Sequence, residues 1–133
     1  MSERPYEKLK FYQDACELRK LIAEITVPFE RSHLRLVSDM RSAARSAKQN
    51  IREGYSRGSL PEFLKAIRIS QGSLEELIGD IDDCLDDHLI NNQEHEKLIK
   101  LCKSALYLSN QYLKSMNKSS NKGKWTIPGR NGD

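Results

Sequence analysis

Four cations stand at helical spacing in the middle of the chain: Arg41, Arg45, Lys48 and Arg52, separated by four, three and four residues. At 100° per residue they share a sector about 60° wide. No carboxylate falls in that sector to neutralise them. Such a ladder suits contacts to successive phosphates and points to RNA or DNA. Arg57 follows it in the chain and extends the set. The rival reading pairs the ladder with acids of a later segment, inside the protomer or across a subunit interface. Further on, Lys118, Lys122 and Lys124 lie near Trp125 and Arg130. Charge beside an aromatic suits a single-stranded nucleic acid, and it suits equally an end with no role.

Other reactive residue types form no working set. Glu75, Glu76, Asp80, Asp82, Asp83, Asp86 and Asp87 crowd one segment. A carboxylate-bridged metal site in a helical bundle needs Glu-x-x-His motifs on converging helices, and none occurs. His33, His88 and His95 are scattered at expected helix ends, where surface or capping roles fit them. Gly54-Tyr55-Ser56-Arg57-Gly58 matches G-x-S-x-G, but a nucleophile elbow needs a preceding strand and here a helix precedes it. No phosphate-cradling glycine loop is present. The residues argue for no enzyme, no catalytic residue, no metal and no cofactor. Cys16, Cys84 and Cys102 are odd in number, without C-x-x-C. They read as buried free thiols of a reduced, cytoplasmic protein.

The elements that must position the ladder follow from periodicity. The 133 residues suit one domain. No apolar run exceeds four residues, so no membrane span or secretory core is expected. A first helix, from about Tyr6 to Thr26, carries Phe11, Ala15, Leu18, Ile22 and Ile25 on one stripe. Pro28 ends it. A second, from about Ser32 to Gly54, carries Val37, Met40, Ala44, Ala47 and Ile51, small enough for close helix approach. Gly54 and Gly58 should break the chain, and Ser59-Leu60-Pro61-Glu62 should cap the next helix as a capping box. That third helix, from about Leu60 to Asp87, holds Phe63, Ile67, Ser70, Leu74, Leu77, Ile81 and Cys84 in register. Gly72 and Gly79 inside it imply close helix contacts. A fourth, from about Asn92 to Met116, follows a second capping signal, Asn91-x-x-Glu94, and aligns Leu98, Leu101, Ala105, Leu108 and Tyr112.

The expected architecture is all-α: an up-down-up-down antiparallel four-helix bundle over residues 1–116. A basic, mobile tail follows over residues 117–133. Charge is segregated along it. Residues 1–30 carry net −1, residues 31–68 net +6, residues 69–96 net −9 and residues 97–133 net +7. Blocks of this size serve helix pairing, subunit assembly or attraction of a polyanion.

One stretch resembles a known family. Asn50-Ile51-Arg52-Glu53-Gly54, Arg57-Gly58-Ser59, Glu62-Phe63 and Ile69-Ser70-Gln71-Gly72-Ser73-Leu74-Glu75-Glu76-Leu77 are similar to the 23S rRNA intervening-sequence protein family of small four-helix bundles. Leu9-x-Phe11-Tyr12-x-x-Ala15 looks like the family's opening pattern, with Tyr12 where tryptophan is usual. The likeness covers about residues 6–115. The family usually has Ala where Arg52 stands and often Pro where Lys48 stands, so both departures add charge to the ladder. The same fold family includes the accessory variability determinant of diversity-generating retroelements. The resemblance therefore implies a homopentameric barrel, a nucleic-acid partner and an accessory role to a reverse transcriptase or an rRNA intervening sequence. The alternative is an oligomeric protein–protein scaffold without direct nucleic-acid binding.

Overall fold

The computed structural model describes residues 4–121, with side chains described as far as Asn117. A 3-10 turn over Pro5–Lys8 leads into α1 (Lys10–Ile25). A second 3-10 turn, Val27–Phe29, connects to α2 (Leu34–Ser56). Then come α3 (Leu60–Asp86) and α4 (Asn92–Asn121). Among the described residues there is no strand. Short connections make each helix antiparallel to the one before it. Each of α1 and α3 packs on both α2 and α4, which closes the four-helix bundle that the periodicity predicts.

The predicted stripes of the first three helices line the core. Leu18, Ile22, Met40, Ile51, Phe63, Ile67, Leu77 and Ile81 are fully buried, and only Ile25 stays half-buried at the margin. On α4 the buried line is rotated from the expected one. Leu98, Cys102, Ala105, Ser109 and Leu113 point inward, while Leu101, Leu108 and Tyr112 flank them half-buried. The α4 helix wedges between α1 and α3, so apolar residues on both shoulders find cover. The inward Ser109 is satisfied by Gln71 Nε2 at 2.9 Å and by the Leu106 carbonyl at 3.1 Å. Cys84 and Cys102 are buried as expected, but Cys16 is half-buried at the α1–α2 seam. Burial, with Asp80, Asp83 and Asp87 nearby, pushes the Cys84 thiol up to about 11. Burial and then Glu75 push Cys102 up to about 12, so both stay protonated near neutral pH.

The glycines differ from expectation. Gly54 does not break α2, which continues to Ser56. It sits where a Cβ would collide with the Cβ of Ala66, so it is the close-approach glycine of the bundle. Gly58, at φ 85°, makes the turn. Gly72 and Gly79 face open space, and no helix crowds them. The cap of α3 is only half the expected box: Ser59 Oγ accepts from the Glu62 amide at 3.4 Å, but Glu62 pairs with Arg57. The cap of α4 is complete, with Asn91 Oδ1 accepting from the Glu94 amide at 2.8 Å and Glu94 Oε1 from the Asn91 amide at 2.9 Å. The end of α3 takes the left-handed residue that glycine usually supplies from His88, at φ 62°. The α4 backbone stays helical beyond Met116, where the apolar register stops, to Asn121.

Candidate nucleic-acid interface

The ladder lies on α2 along its seam with α1, and the contact of Arg41 anchors one end of that seam. At one end Arg41 Nε donates to Thr26 Oγ1 at 3.0 Å, and its guanidinium also donates to the Ala23 carbonyl at 3.3 Å. At the other end Arg52 lies near enough to act on the Tyr12 hydroxyl. Burial pushes that hydroxyl above its ordinary range, its hydrogen-bond neighbour Cys16 adds to the push, and Arg52 opposes it. Steps of four and three down α2 are matched by steps of four and three up α1. Cys16 therefore stands opposite Lys48, and Arg19 opposite Arg45. The sequence reading missed Arg19, because pairing α1 with α2 in register requires the anchor at Arg41.

The four ladder cations are not equivalent. Arg41 is half-buried and also pairs with Glu30 at 2.9 Å. Its charge sits beside the last carbonyls of α1, where the helix dipole favours a cation. Thr26 completes the arrangement: it is fully buried, and its hydroxyl donates to the Ile22 carbonyl at 2.6 Å while accepting from Arg41. Arg45 and Arg52 are exposed and Lys48 is half-buried. None of these three has an ion pair or a side-chain hydrogen bond among the described residues. A shallow hollow of about 410 Å³ opens between Glu30, Leu34, Val37, Arg41 and Arg45. A second, of about 430 Å³ beside Tyr12 and Cys16, is lined by Glu7, Glu17 and Lys20, so the field is mixed there. The unpaired stretch of the ladder is Arg45 to Arg52.

The α3 acids do not neutralise the ladder within the protomer, contrary to the rival reading. Asp80 lies among acids on the α2–α3 side, in a hollow with Asp39 and Glu76. Burial raises its carboxyl above the ordinary value, and Asp39, Asp83 and Glu76 raise it further. Asp82 pairs with His95 Nε2 at 2.8 Å. Among the described residues no group of three or more His, Cys, Asp or Glu side chains is placed to hold a metal ion. No described helix is long and apolar enough to cross a membrane.

The remaining expected contacts are dispersed. Arg57 stands at the other seam of α2, 3.8 Å from Glu62 in a loose exposed pair, and lines a hollow with Asn50, Lys65 and Ile69. Lys118 falls in the last turns of α4, beyond the described side chains. Lys122, Lys124, Trp125 and most of the expected tail lie outside the described residues.

Comparison with known proteins adds one finding. A family model described as 23S rRNA-intervening sequence protein matches residues 7–111, which takes in the seam and all four helices up to the last turns of α4. No curated protein matches the chain.

Proposed function

We propose an RNA-binding function, without catalysis, for this chain, which belongs to the 23S rRNA-intervening sequence protein family. The observation that carries the reading is the unpaired state of Arg45, Lys48 and Arg52 beside an Arg41 that is already held. Three cations along about 10 Å of helix can meet several phosphates of one strand. Because the family's description names a 23S rRNA intervening sequence, that RNA is the ligand to test first. Phosphate contacts position a protein on RNA and do not read its sequence, so binding is weakly sequence-dependent.

The resemblance adds two elements to this proposal: assembly as a homopentamer, and the accessory role beside a reverse transcriptase as another use of the same cationic seam. Light scattering that finds a monomer at micromolar concentration overturns the first. The triple variant Arg45→Glu, Lys48→Glu, Arg52→Glu tests the site. Filter binding with an rRNA insertion hairpin should show loss of affinity at unchanged helix content and unchanged oligomer size. The wild-type slope of log K against log salt should be about −2 to −3, from three neutralised phosphates. Unchanged affinity in the variant sinks the assignment. The scaffold reading has its own support in the Asp39, Glu76 and Asp80 group, which presents uncompensated negative charge. It predicts instead that the triple variant dissociates into smaller species.

A further inference from the structure

We propose that the outward face of α4 is a second RNA-contacting surface, specific for unpaired nucleotides, with Tyr107 as a stacking platform among Lys100, Lys103 and Lys114. The inference rests on the RNA-binding reading above and adds the strand state of the ligand.

Tyr107 is 63 % exposed. Every other described aromatic side chain is buried or half-buried: Tyr6, Phe11, Tyr12, Phe29, Tyr55 and Phe63 lie in the core and Tyr112 at its margin. The Tyr107 ring stacks on no other described ring, and its hydroxyl has no partner among the described residues. A large amphipathic ring left in water on a regular helix face is not explained by packing.

Its neighbours are cationic. Lys100, Lys103, Tyr107 and Lys114 share a sector about 60° wide, centred about 150° from the buried line through Leu98, Cys102, Ala105, Ser109 and Leu113. All three lysines are exposed, and none has an ion pair among the described residues. Residues 97–117 contain Lys97, Lys100, Lys103 and Lys114 and no acid. Between Tyr107 and Lys114, Asn110 and Gln111 are exposed and bring amide donors and acceptors. The face thus offers charge for a backbone, a π-surface for a base, and polar groups for base edges, over about 21 Å of helix.

That combination selects single strands. In a duplex the base faces are already stacked, and only an unpaired base can be splayed onto a tyrosine ring. Base–aromatic stacking is sequence-tolerant, and removing the ring costs about tenfold or more in affinity per base. The α4 face and the α2 ladder lie on different sides of the bundle with α1 between them. An RNA with a helical stem and a single-stranded flank has a part for each.

The test uses the full chain with two RNAs, an oligoadenylate of about twelve nucleotides and a blunt hairpin closed by a fully stacked tetraloop that leaves no base free to splay, titrated against wild type, Tyr107→Ala and Tyr107→Phe. Tyr107→Ala should weaken oligoadenylate binding about tenfold and leave the hairpin unchanged. Tyr107→Phe should restore oligoadenylate binding to within about twofold, because the ring and not the hydroxyl does the stacking. Oligoadenylate affinity unchanged in Tyr107→Ala overturns the proposal, as does an equal loss in Tyr107→Phe or an equal fall for both RNAs. If wild type binds the hairpin while Tyr107→Ala loses nothing, only the α4 surface falls. If wild type binds neither RNA, the RNA-binding reading itself falls, and this one with it.

Discussion

The two seams of α2 differ in kind. Toward α3, the helix is fastened by small residues and short polar contacts. Gly54 meets Ala66, Ser70 Oγ donates to the Ala47 carbonyl at 2.6 Å, and Ser46 bonds Ser73 at 2.8 Å. Toward α1, the same helix carries long cationic side chains, and only Arg41 is tied down. Backbones that approach closely exclude water and fix a helix without help from charge. The difference teaches how a helix can hold unneutralised cations on one side: its position is secured on the other.

The sharpest way to break that comparison is to separate the tight seam. Gly54→Ala puts a methyl against Ala66, with the Glu62 carbonyl oxygen at 3.5 Å and the Phe63 Cα at 3.6 Å closing the other directions. Overpacking of this kind costs about 1–3 kcal/mol, and the better helix propensity of alanine offsets part of it. We expect a net loss of about 2 kcal/mol, read as a fall in melting temperature of roughly 5–10 °C. Ala66→Gly in the same chain restores the space. The double-mutant cycle should show a favourable coupling of about 1 kcal/mol or more. Additive losses would show that the approach of α2 to α3 is not set here.

The second contrast runs along the ladder. Arg41→Ala removes two hydrogen bonds and an ion pair and leaves Thr26 and the end of α1 under-satisfied. The loss should be about 1–1.5 kcal/mol of stability, with RNA affinity changed little. Arg45→Ala should do the reverse, with stability within about 0.5 kcal/mol of wild type and a measurable fall in RNA affinity. Urea melts and filter binding on the two single variants check both halves. If Arg45→Ala is the destabilising one, the division between a held and a free cation is wrong.

What the sequence disclosed follows the same division. Apolar periodicity is a local property, so the stripes of α1, α2 and α3 were readable from spacing alone. On α4 the stripe was misplaced because apolar residues on both shoulders blur the moment, and only the positions of α1 and α3 choose among them. The ladder was readable as a sector of one helix. That Arg41 is engaged by Thr26 and Glu30 was not, because the contact joins residues on either side of a turn whose path spacing does not give. Gly54 looked like a breaker because glycine near a helix end usually is one, and its role depends on Ala66 across the seam. Asp14 shows the same limit. It is a buried acid bound by Lys10 and by Ser104 Oγ at 2.7 Å, and nothing in its neighbourhood along the chain announces α4 as its partner.

The smallest expected effect lies at the acidic end of the tight seam, and its sign carries the information. Asp80 is half-buried, and burial first, then Asp39, Asp83 and Glu76, raises its carboxyl above the ordinary value. A carboxyl raised on folding binds its proton more readily in the folded state than in the unfolded one. The cost is therefore present above the folded-state value and vanishes as pH falls below the unfolded one. In an isolated protomer, Asp80→Asn should stabilise at pH 7 by about 0.5 kcal/mol, the scale of a partly exposed charge interaction. At pH 3 the variant and wild type should melt together. If a cationic surface of a second copy covers this end in an assembly, the sign reverses: the carboxylate then has a partner, and Asp80→Asn weakens the oligomer at neutral pH. Thermal melts at both pH values, run above and below the concentration at which light scattering shows assembly, separate the cases. Stabilisation at every concentration would mean that the acids face water and that the α2–α3 end takes no part in subunit contacts.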